Sequence, residues 1–223
     1  NEAYWTHVDE LLAYAESKGL LAFMFPAYVG ANGGDQGWMQ ELVANGPTRV
    51  QTYGAWIASR YATRGNIVWM MGGDLGTFNS AQTAVEQALL TGLRSVPGQQ
   101  STFFSAEWSP ESIATDQRDF GPAMSLNGAY SWTVQSPSQC RRAYAYTPIE
   151  PAFLLEEPYD EEGPDGNGVN GNAMQPAQAG ELCPLKAGNG AEQPRLLAVL
   201  QLGLEAHDVP KRGQRIVLAQ LHD

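Results

Sequence analysis

Apolar residues follow two alternating spacings along the chain. Apolar positions three or four residues apart, which are typical of one face of a helix, predict helices over 2–18, 47–61, 81–93 and from 136. Short continuous apolar runs lie at 20–25, 66–71, 101–105, 123–127 and 151–155. Such runs predict strands that are buried on both faces of a parallel sheet covered by helices. The pattern predicts an α/β fold with five clear strands and a Gly-rich loop over 28–46.

Polar and acidic residues stand where the predicted strands end. Asp74 follows the second strand after two glycines, and Glu156 and Glu157 follow the last strand. Functional groups gather at the C-terminal strand ends of parallel α/β barrels. A pair of carboxyl groups is what cleavage of a glycosidic bond requires, because one protonates the leaving oxygen and the other attacks the sugar or activates water. Strand alternation sends Glu156 and Glu157 to opposite faces and does not choose between them.

Structural alternatives exist for both groups of acidic residues. Gly-Gly-Asp is ordinary turn chemistry, so Asp74 could simply cap a turn. Glu156 and Glu157 precede Asp160, Glu161 and Glu162, and all five could form an acidic surface cluster. The sequence alone leaves these alternatives open.

Composition narrows the choice of partner. The net charge is −11, and no basic stripe is present that could follow a phosphate backbone, which argues against nucleic acid. No apolar run reaches the roughly 18 residues that a membrane span needs. Six Trp and nine Tyr residues suit a sugar partner, since their rings are flat apolar platforms with a polar tip. Only three His residues are present, so we predict no metal and no cofactor.

The segment 177–223 differs from the rest of the chain. It contains no aromatic residue and its formal charge is zero, whereas every Trp, Tyr and Phe precedes it. Leucines at 196, 197, 200 and 204 predict a helix there, and 216–218 predicts a strand. We therefore divide the chain into 1–176, a partial barrel, and 177–223, an atypical tail that we interpret as frame-shifted or foreign sequence.

Several short motifs, taken in order, carry a family resemblance. They are Tyr4-Trp5 with Val8-Asp9, Pro26-Ala-Tyr28-Val-Gly30, Gly37-Trp38-Met39, Tyr53-Gly54, Arg60-Tyr61, Asn66-Ile-Val-Trp69, Gly72-Gly73-Asp74 and Phe153-Leu-Leu-Glu-Glu-Pro-Tyr159. Together they resemble the apiosidase-like glycoside hydrolases over residues 1 to about 176. The tail departs from the family pattern after Gln175-Pro176.

The resemblance implies a TIM (β/α)8 barrel of the retaining type. The visible strands would be strands three to seven, the N-terminal strands would be missing, and no clear eighth strand would follow. Asp74 would be the general acid/base and Glu157 the nucleophile. The candidate sugar contacts are Tyr28, Trp38, Gly73, Glu107, Trp108, Asn127, Tyr130 and Trp132.

The sequence therefore predicts a retaining glycoside hydrolase that acts on plant or microbial polysaccharide. A carbohydrate-binding pseudoenzyme and an inactive fragment of a glycosidase are the alternatives. The chain carries no visible signal peptide and is interpreted as a fragment, and we expect its parent protein to be secreted or periplasmic. The oligomeric state is not predicted.

Overall fold

The computed structural model describes residues 1–131 and 136–156, together with the backbone of 199–200 and 216–217. Trp132, Glu157 and most of the tail lie outside the described residues. The helices are α1 (Glu2–Ser17), α2 (Met39–Arg60), α3 (Ser80–Leu93) and α4 (Ser136–Tyr144). The strands are β1 (Ala22–Met24), β2 (Ile67–Gly72), β3 (Phe103–Glu107), β4 (Ser112–Ile113), β5 (Asn127–Tyr130), β6 (Ala152–Glu156), β7 (Val199–Leu200) and β8 (Ile216–Val217).

The predicted parallel sheet is present in two connected parts. Strands β1, β2 and β3 pair in that order and are parallel. Strands β5 and β6 are also parallel, and the short β4 runs antiparallel to β5. The backbone N–H groups of Ser125 and Leu126, just before β5, both donate to the carbonyl oxygen of Phe104 in β3. These bonds place the β5–β6 part beside β3, so that all the parallel strands end on one side.

Both faces of the sheet are buried, as the continuous apolar runs predict. Along β2, Trp69 and Met71 pack among the helices, whereas Val68 and Met70 lie in a second apolar cluster on the inner face. That inner cluster comprises Phe23, Phe25, Val68, Met70 and Phe153. The alternation of strand side chains therefore separates an outer core under the helices from an inner core enclosed by the strands.

The sheet is strongly curved. Phe23 lies on β1 and Phe153 on β6, which are separated by β2, β3 and β5, yet their ring centroids are only 5.0 Å apart. Side chains from distant strands can meet on one face only if the sheet bends around that face. Curvature therefore brings the ends of β1, β2, β3, β5 and β6 around a common centre.

Local sequence explains where the helices begin and end. α1 ends at Ser17, and Gly19 follows with φ 69°, the left-handed conformation that glycine adopts without strain. α3 begins with a capping box, in which Asn79 accepts from the N–H groups of Ala81 and Gln82 while Gln82 accepts from the Asn79 N–H. These two helices confirm the predicted segments.

The structure corrects part of the predicted loop 28–46. Helical backbone begins at Met39 and is interrupted at Gly46, which has φ 76° and ψ 165°. The predicted helix start at Pro47 is thus the second half of α2. Met39 and Leu42 bury their side chains against the outer core, and this packing supports a short helical segment that the glycines obscure in the sequence.

Two strands lie further along the chain than predicted. The strand predicted at 101–105 is found at Phe103–Glu107. Ser101 does not join the strand because its hydroxyl accepts from the N–H of Ile67 and its carbonyl oxygen accepts from the indole N–H of Trp69. Strand 123–127 is found at Asn127–Tyr130, since Gly121–Ala123 forms a 3-10 turn.

The predicted helix from 136 is α4, in which Cys140 and Ala143 are buried and Tyr144 is 49% exposed. In the tail, residues 199–200 form β7 and not a helix, and they pair antiparallel with β8, which lies in the predicted strand 216–218.

Candidate active site

The turn after β2 places Asp74 at the end of the strand. Gly72, Gly73 and Asp74 have φ values of 77°, 121° and 65°, three successive residues with positive φ. A Cβ on Gly72 would come within 2.8 Å of the Trp108 ring, and a Cβ on Gly73 would overlap the ring of Tyr28. The two glycines are therefore required by close packing as well as by backbone conformation. The non-glycine φ of Asp74 is a strained conformation of the kind that clusters at functional sites.

Backbone hydrogen bonds hold this turn on both sides. The N–H of Gly73 donates to the carbonyl oxygen of Glu107 at 2.7 Å, and the carbonyl oxygen of Asp74 accepts from the N–H of Asn32 at 3.0 Å. The strand end β3 and the loop after β1 thus fix the position of Asp74.

A tyrosine from β5 orients the Asp74 carboxyl group. The hydroxyl of Tyr130 donates to Oδ1 of Asp74 at 3.0 Å. Tyr130 is 1% exposed, whereas Asp74 is half-buried. Partial burial raises the pKa of Asp74 above its ordinary value, and the Tyr130 hydrogen bond offsets part of that effect because it stabilises the ionised form.

Glu107 brings a second carboxyl group to the same place. It is the last residue of β3 and is paired in register with Gly72 of β2. Its exposed fraction is 4%. Burial raises its pKa well above the ordinary value, and the negative charges of Glu156 and Asp74 raise it further. Three carboxyl groups therefore influence one another across the ends of β2, β3 and β6.

A β-bulge determines where Glu156 faces. Ala129 of β5 is paired with Leu154 of β6, but the next residue, Tyr130, is paired with Glu156. The extra residue in β6 is Leu155, and bulges of this kind change the direction of the following side chain. Register partners in a parallel pair point to the same face, so Glu156 shares the face of Tyr130.

The predicted sugar contacts fall into distinct groups. Tyr28, Gly73, Glu107 and Tyr130 lie around Asp74, and Glu156 joins them. Trp38 is half-buried and its backbone N–H donates to the carbonyl oxygen of Tyr28, so it supports the loop after β1. Trp132 and the predicted nucleophile Glu157 lie outside the described residues.

Two other predicted contacts, Asn127 and Trp108, are buried and bonded within the fold. Asn127 is the first residue of β5, not the last, and its amide is buried against Thr115 and the carbonyl oxygen of Ala143. It therefore lies at the opposite end of its strand from Tyr130. Trp108 is 1% exposed, donates its indole N–H to the carbonyl oxygen of Ala114 at 2.8 Å, and packs against Phe78 and Phe120. It supports the Gly72 turn from behind.

Two glutamates near the site were not singled out in the sequence. Glu111 has φ 65°, and its carboxylate accepts from the hydroxyl of Ser131 at 2.8 and 3.0 Å and from the amide of Gln139 at 3.2 Å. The N–H of Ser131 in turn donates to the carbonyl oxygen of Glu156. Glu111 thereby fixes the chain next to Tyr130. No sequence pattern marks it.

Glu86 on α3 is the second unforeseen glutamate. It is completely buried, and neither carboxyl oxygen has a hydrogen-bond partner among the described residues, although the N–H of Gly72 lies near enough to act on the group. Burial raises the pKa of Glu86 to about 8, and the Gly72 N–H opposes that shift. The sequence does contain a signal for the burial of Glu86. The residue lies four positions before Leu90, on the side of α3 that faces the core.

Within the part of the chain that the structure describes, no three His, Cys, Asp or Glu residues form a group that could hold a metal ion. None of the described helices has both the length and the apolar character needed to cross a membrane.

Two solved structures that share this fold are described as glycoside hydrolases. A glycoside hydrolase family 5 protein from Bacteroides vulgatus ATCC 8482 superimposes with a TM-score of 0.59 at 18% identity, covering 77% of this chain and 38% of that one. A second structure, described as a glycoside hydrolase, gives a TM-score of 0.55 at 19% identity and covers 71% of this chain and 37% of that one. The chain thus spans less than half the length of either protein.

Among glycoside hydrolases, the sequence of the chain matches one family. Residues 1–180 match the family described as "Apiosidase-like, catalytic domain", and the chain belongs to it. No curated protein sequence matches the chain.

Proposed function

We propose that this chain is part of a retaining glycoside hydrolase that acts on plant or microbial polysaccharide, with Asp74 as the general acid/base and Glu157 as the nucleophile. The supporting observation is the half-buried carboxyl group of Asp74, held by the hydroxyl of Tyr130 at 3.0 Å where the parallel strands end. Membership of the apiosidase-like family supports the choice of reaction. The role of Glu157 rests on the family resemblance.

The fold proposed for the parent protein is a TIM barrel. The strong curvature of the sheet and the separate inner core support this, and β1, β2, β3, β5 and β6 would be barrel strands three to seven. We also propose that 1–176 form the glycosidase part and that 177–223 are separate from it. The support for this division is compositional, because every Trp, Tyr and Phe of the chain precedes residue 177 and the formal charge of 177–223 is zero.

The chemistry of Asp74 follows from its surroundings. A general acid must hold its proton near the working pH, and partial burial favours the neutral form of this carboxyl group. Asp74 would protonate the glycosidic oxygen while a carboxylate on the other side of the sugar attacks the anomeric carbon. In the second step the ionised Asp74 would take a proton from water, and that water would hydrolyse the glycosyl–enzyme bond.

The sugar would lie over the centre of the strand ends. The half-buried ring of Tyr28 and the backbone at Gly73 flank Asp74, and Trp38 lies beside them. An aromatic ring offers a flat apolar surface to the C–H face of a sugar, whereas carboxyl groups bind its hydroxyls. Trp132 remains a predicted contact.

Substitution of the acid/base tests this function. Asp74→Asn cannot transfer a proton, and we expect it to lower kcat by about 10²- to 10⁴-fold. The loss should be greater for substrates with poor leaving groups than for activated aryl glycosides, because only the poor leaving groups need protonation. Release of reducing ends from a panel of plant and microbial polysaccharides measures the rate. Asp119→Asn, at an exposed aspartate, is the matched control.

The outcomes separate the alternatives. Equal hydrolysis by Asp74→Asn and by the parent chain would remove Asp74 from the mechanism. Binding of an oligosaccharide without turnover, unaffected by Asp74→Asn, would favour the carbohydrate-binding pseudoenzyme. A thermal melt of the unsubstituted chain without a cooperative transition would indicate an inactive fragment.

A further inference from the structure

Glu107 is a buried acid that the proposed mechanism does not use. It ends β3 beside the Gly72–Asp74 turn, and its backbone carbonyl accepts the N–H of Gly73. Its side chain is 4% exposed, so its carboxyl group is largely removed from water. A buried carboxyl group is costly to ionise unless a cation or hydrogen-bond donors compensate its charge.

The groups that face Glu107 from the neighbouring elements make ionisation still less favourable. They are Asp74 after β2, Tyr130 at the end of β5 and Glu156 at the end of β6, and the charges that act on Glu107 are those of Asp74 and Glu156. Among the described residues no Lys, Arg or His acts on it. Carboxyl groups that share one site cannot all ionise together, so at least one of them keeps its proton.

The burial of the three carboxyl groups decides which one holds its proton most strongly. Glu107 is buried, whereas Asp74 and Glu156 are both partly exposed to solvent. The β6 bulge is what brings Glu156 to this face, since an unbroken alternation would have sent it to the other side. The bulge therefore completes an arrangement in which the most buried acid has two acidic neighbours.

We propose that Glu107 serves this site as a neutral carboxylic acid, a hydrogen-bond donor placed between the carboxyl groups of Asp74 and Glu156. The pKa direction agrees, since burial and both neighbouring charges raise the pKa of Glu107. An ionised carboxylate only accepts hydrogen bonds, whereas a protonated carboxyl group also donates one. Glu107 is then a specificity-determining residue.

The consequence for the ligand rests on the proposed glycosidase function. Each sugar hydroxyl both donates and accepts, and the ionised groups of this site supply acceptors. A neutral Glu107 adds a donor for a hydroxyl oxygen of the sugar. Ionisation of Glu107 would remove this donor and add a negative charge, so binding and turnover should fall as the pH rises through its pKa.

The protonation state is measured without any activity. Glutamate side-chain carboxyl carbons of the full chain are labelled with ¹³C and titrated by NMR, in the parent chain and in the variants Glu107→Gln and Glu86→Gln. Glu86 is the matched control because it is also buried but lies on α3. We expect two glutamate signals in the parent chain that are still in the neutral form at neutral pH, one of which is lost in Glu107→Gln and the other in Glu86→Gln. If Glu107 is ionised at neutral pH, the proposal is wrong, whatever the enzyme does.

The role toward substrate is measured separately by pH profiles of kcat/KM. Glu107→Gln keeps an uncharged donor that cannot ionise, so its alkaline limb should move to higher pH. Glu107→Ala loses the donor and should lower kcat/KM by about tenfold at neutral pH, more than Glu107→Gln does. An unchanged alkaline limb in Glu107→Gln would overturn the substrate role. An absence of hydrolysis in the parent chain would instead refute the proposed function, while the NMR titration still decides the protonation state.

Discussion

At the scale of single residues, the position of Asp74 depends on two glycines that precede it. Gly73 combines φ 121° with a position at which an added Cβ would overlap the ring of Tyr28. Gly19 also has positive φ, 69°, but a Cβ there would have no atom within 4 Å. A comparison of Gly73 with Gly19 therefore separates the cost of backbone strain from the cost of a steric clash.

We expect Gly73→Ala to destabilise the fold by about 3 kcal/mol or more, because strain and overlap with Tyr28 add together. Gly19→Ala should cost only about 1 kcal/mol, since it introduces strain alone. Urea unfolding followed by circular dichroism measures both free energies of unfolding. Equal losses in the two variants would mean that Tyr28 moves aside, and that the packing of this turn does not depend on glycine.

At the scale of elements, α3 connects the outer core to the Gly72–Asp74 turn. It packs Val85 and Leu89 against the sheet and carries Glu86 to the neighbourhood of Gly72. Its first turn is exposed, so its beginning depends on the capping box of Asn79 and Gln82 rather than on packing. The start of this helix can therefore be weakened without changing the core.

Asn79→Ala removes the side-chain acceptor for two backbone N–H groups, and we expect it to lower the free energy of unfolding by about 1 kcal/mol. Ser80→Ala, one residue further on and also exposed, should change it by less than about 0.5 kcal/mol. Chemical denaturation of the two variants in parallel tests this. A similar effect of both changes would show that the cap does not stabilise α3.

At the scale of the whole molecule, an acidic chain buries two of its described glutamates, Glu86 and Glu107. The net charge is −11, and yet Glu86 is completely buried and has no hydrogen-bond partner among the described residues. The pKa of Glu86 is raised from 4.5 to about 8 by burial. The folded state therefore holds this proton over a pH range in which the unfolded chain has released it.

A raised carboxyl pKa makes stability fall as the pH rises. Between pH values of about 4.5 and 8 the folded chain binds more protons than the unfolded chain, so Glu86 should cost roughly 1 kcal/mol of stability for each pH unit. Glu86→Gln should lower the slope by this amount, whereas Glu41→Gln at an exposed position should leave it unchanged. Urea unfolding at several pH values measures the slope. An identical slope in the parent chain and Glu86→Gln would contradict the buried, neutral state.

Much of the element order could be predicted from the sequence, because helix and strand periods differ and each buried strand is a continuous apolar run. The helices at 2–18 and 81–93 and the strand at 66–71 match the structure closely. The errors lie where side-chain hydrogen bonds replace the ladder, as at Ser101, or where packing supports a helix despite glycines, as at Met39. Neither effect has a local signature in the sequence.

The sequence by itself determined the family, the alternation of helices and strands, and the placement of acidic residues where strands end, since each depends on residue order and spacing. Only the tertiary structure decided which of those residues share a site. Contacts between residues far apart in the chain produce the bulge at Leu155 and the curvature that brings side chains of β1 and β6 together. They also bury Glu107 and Glu86. Such contacts set the direction in which a side chain points and the extent to which a carboxyl group is removed from water. Neither can be derived from the spacing of residues along one strand.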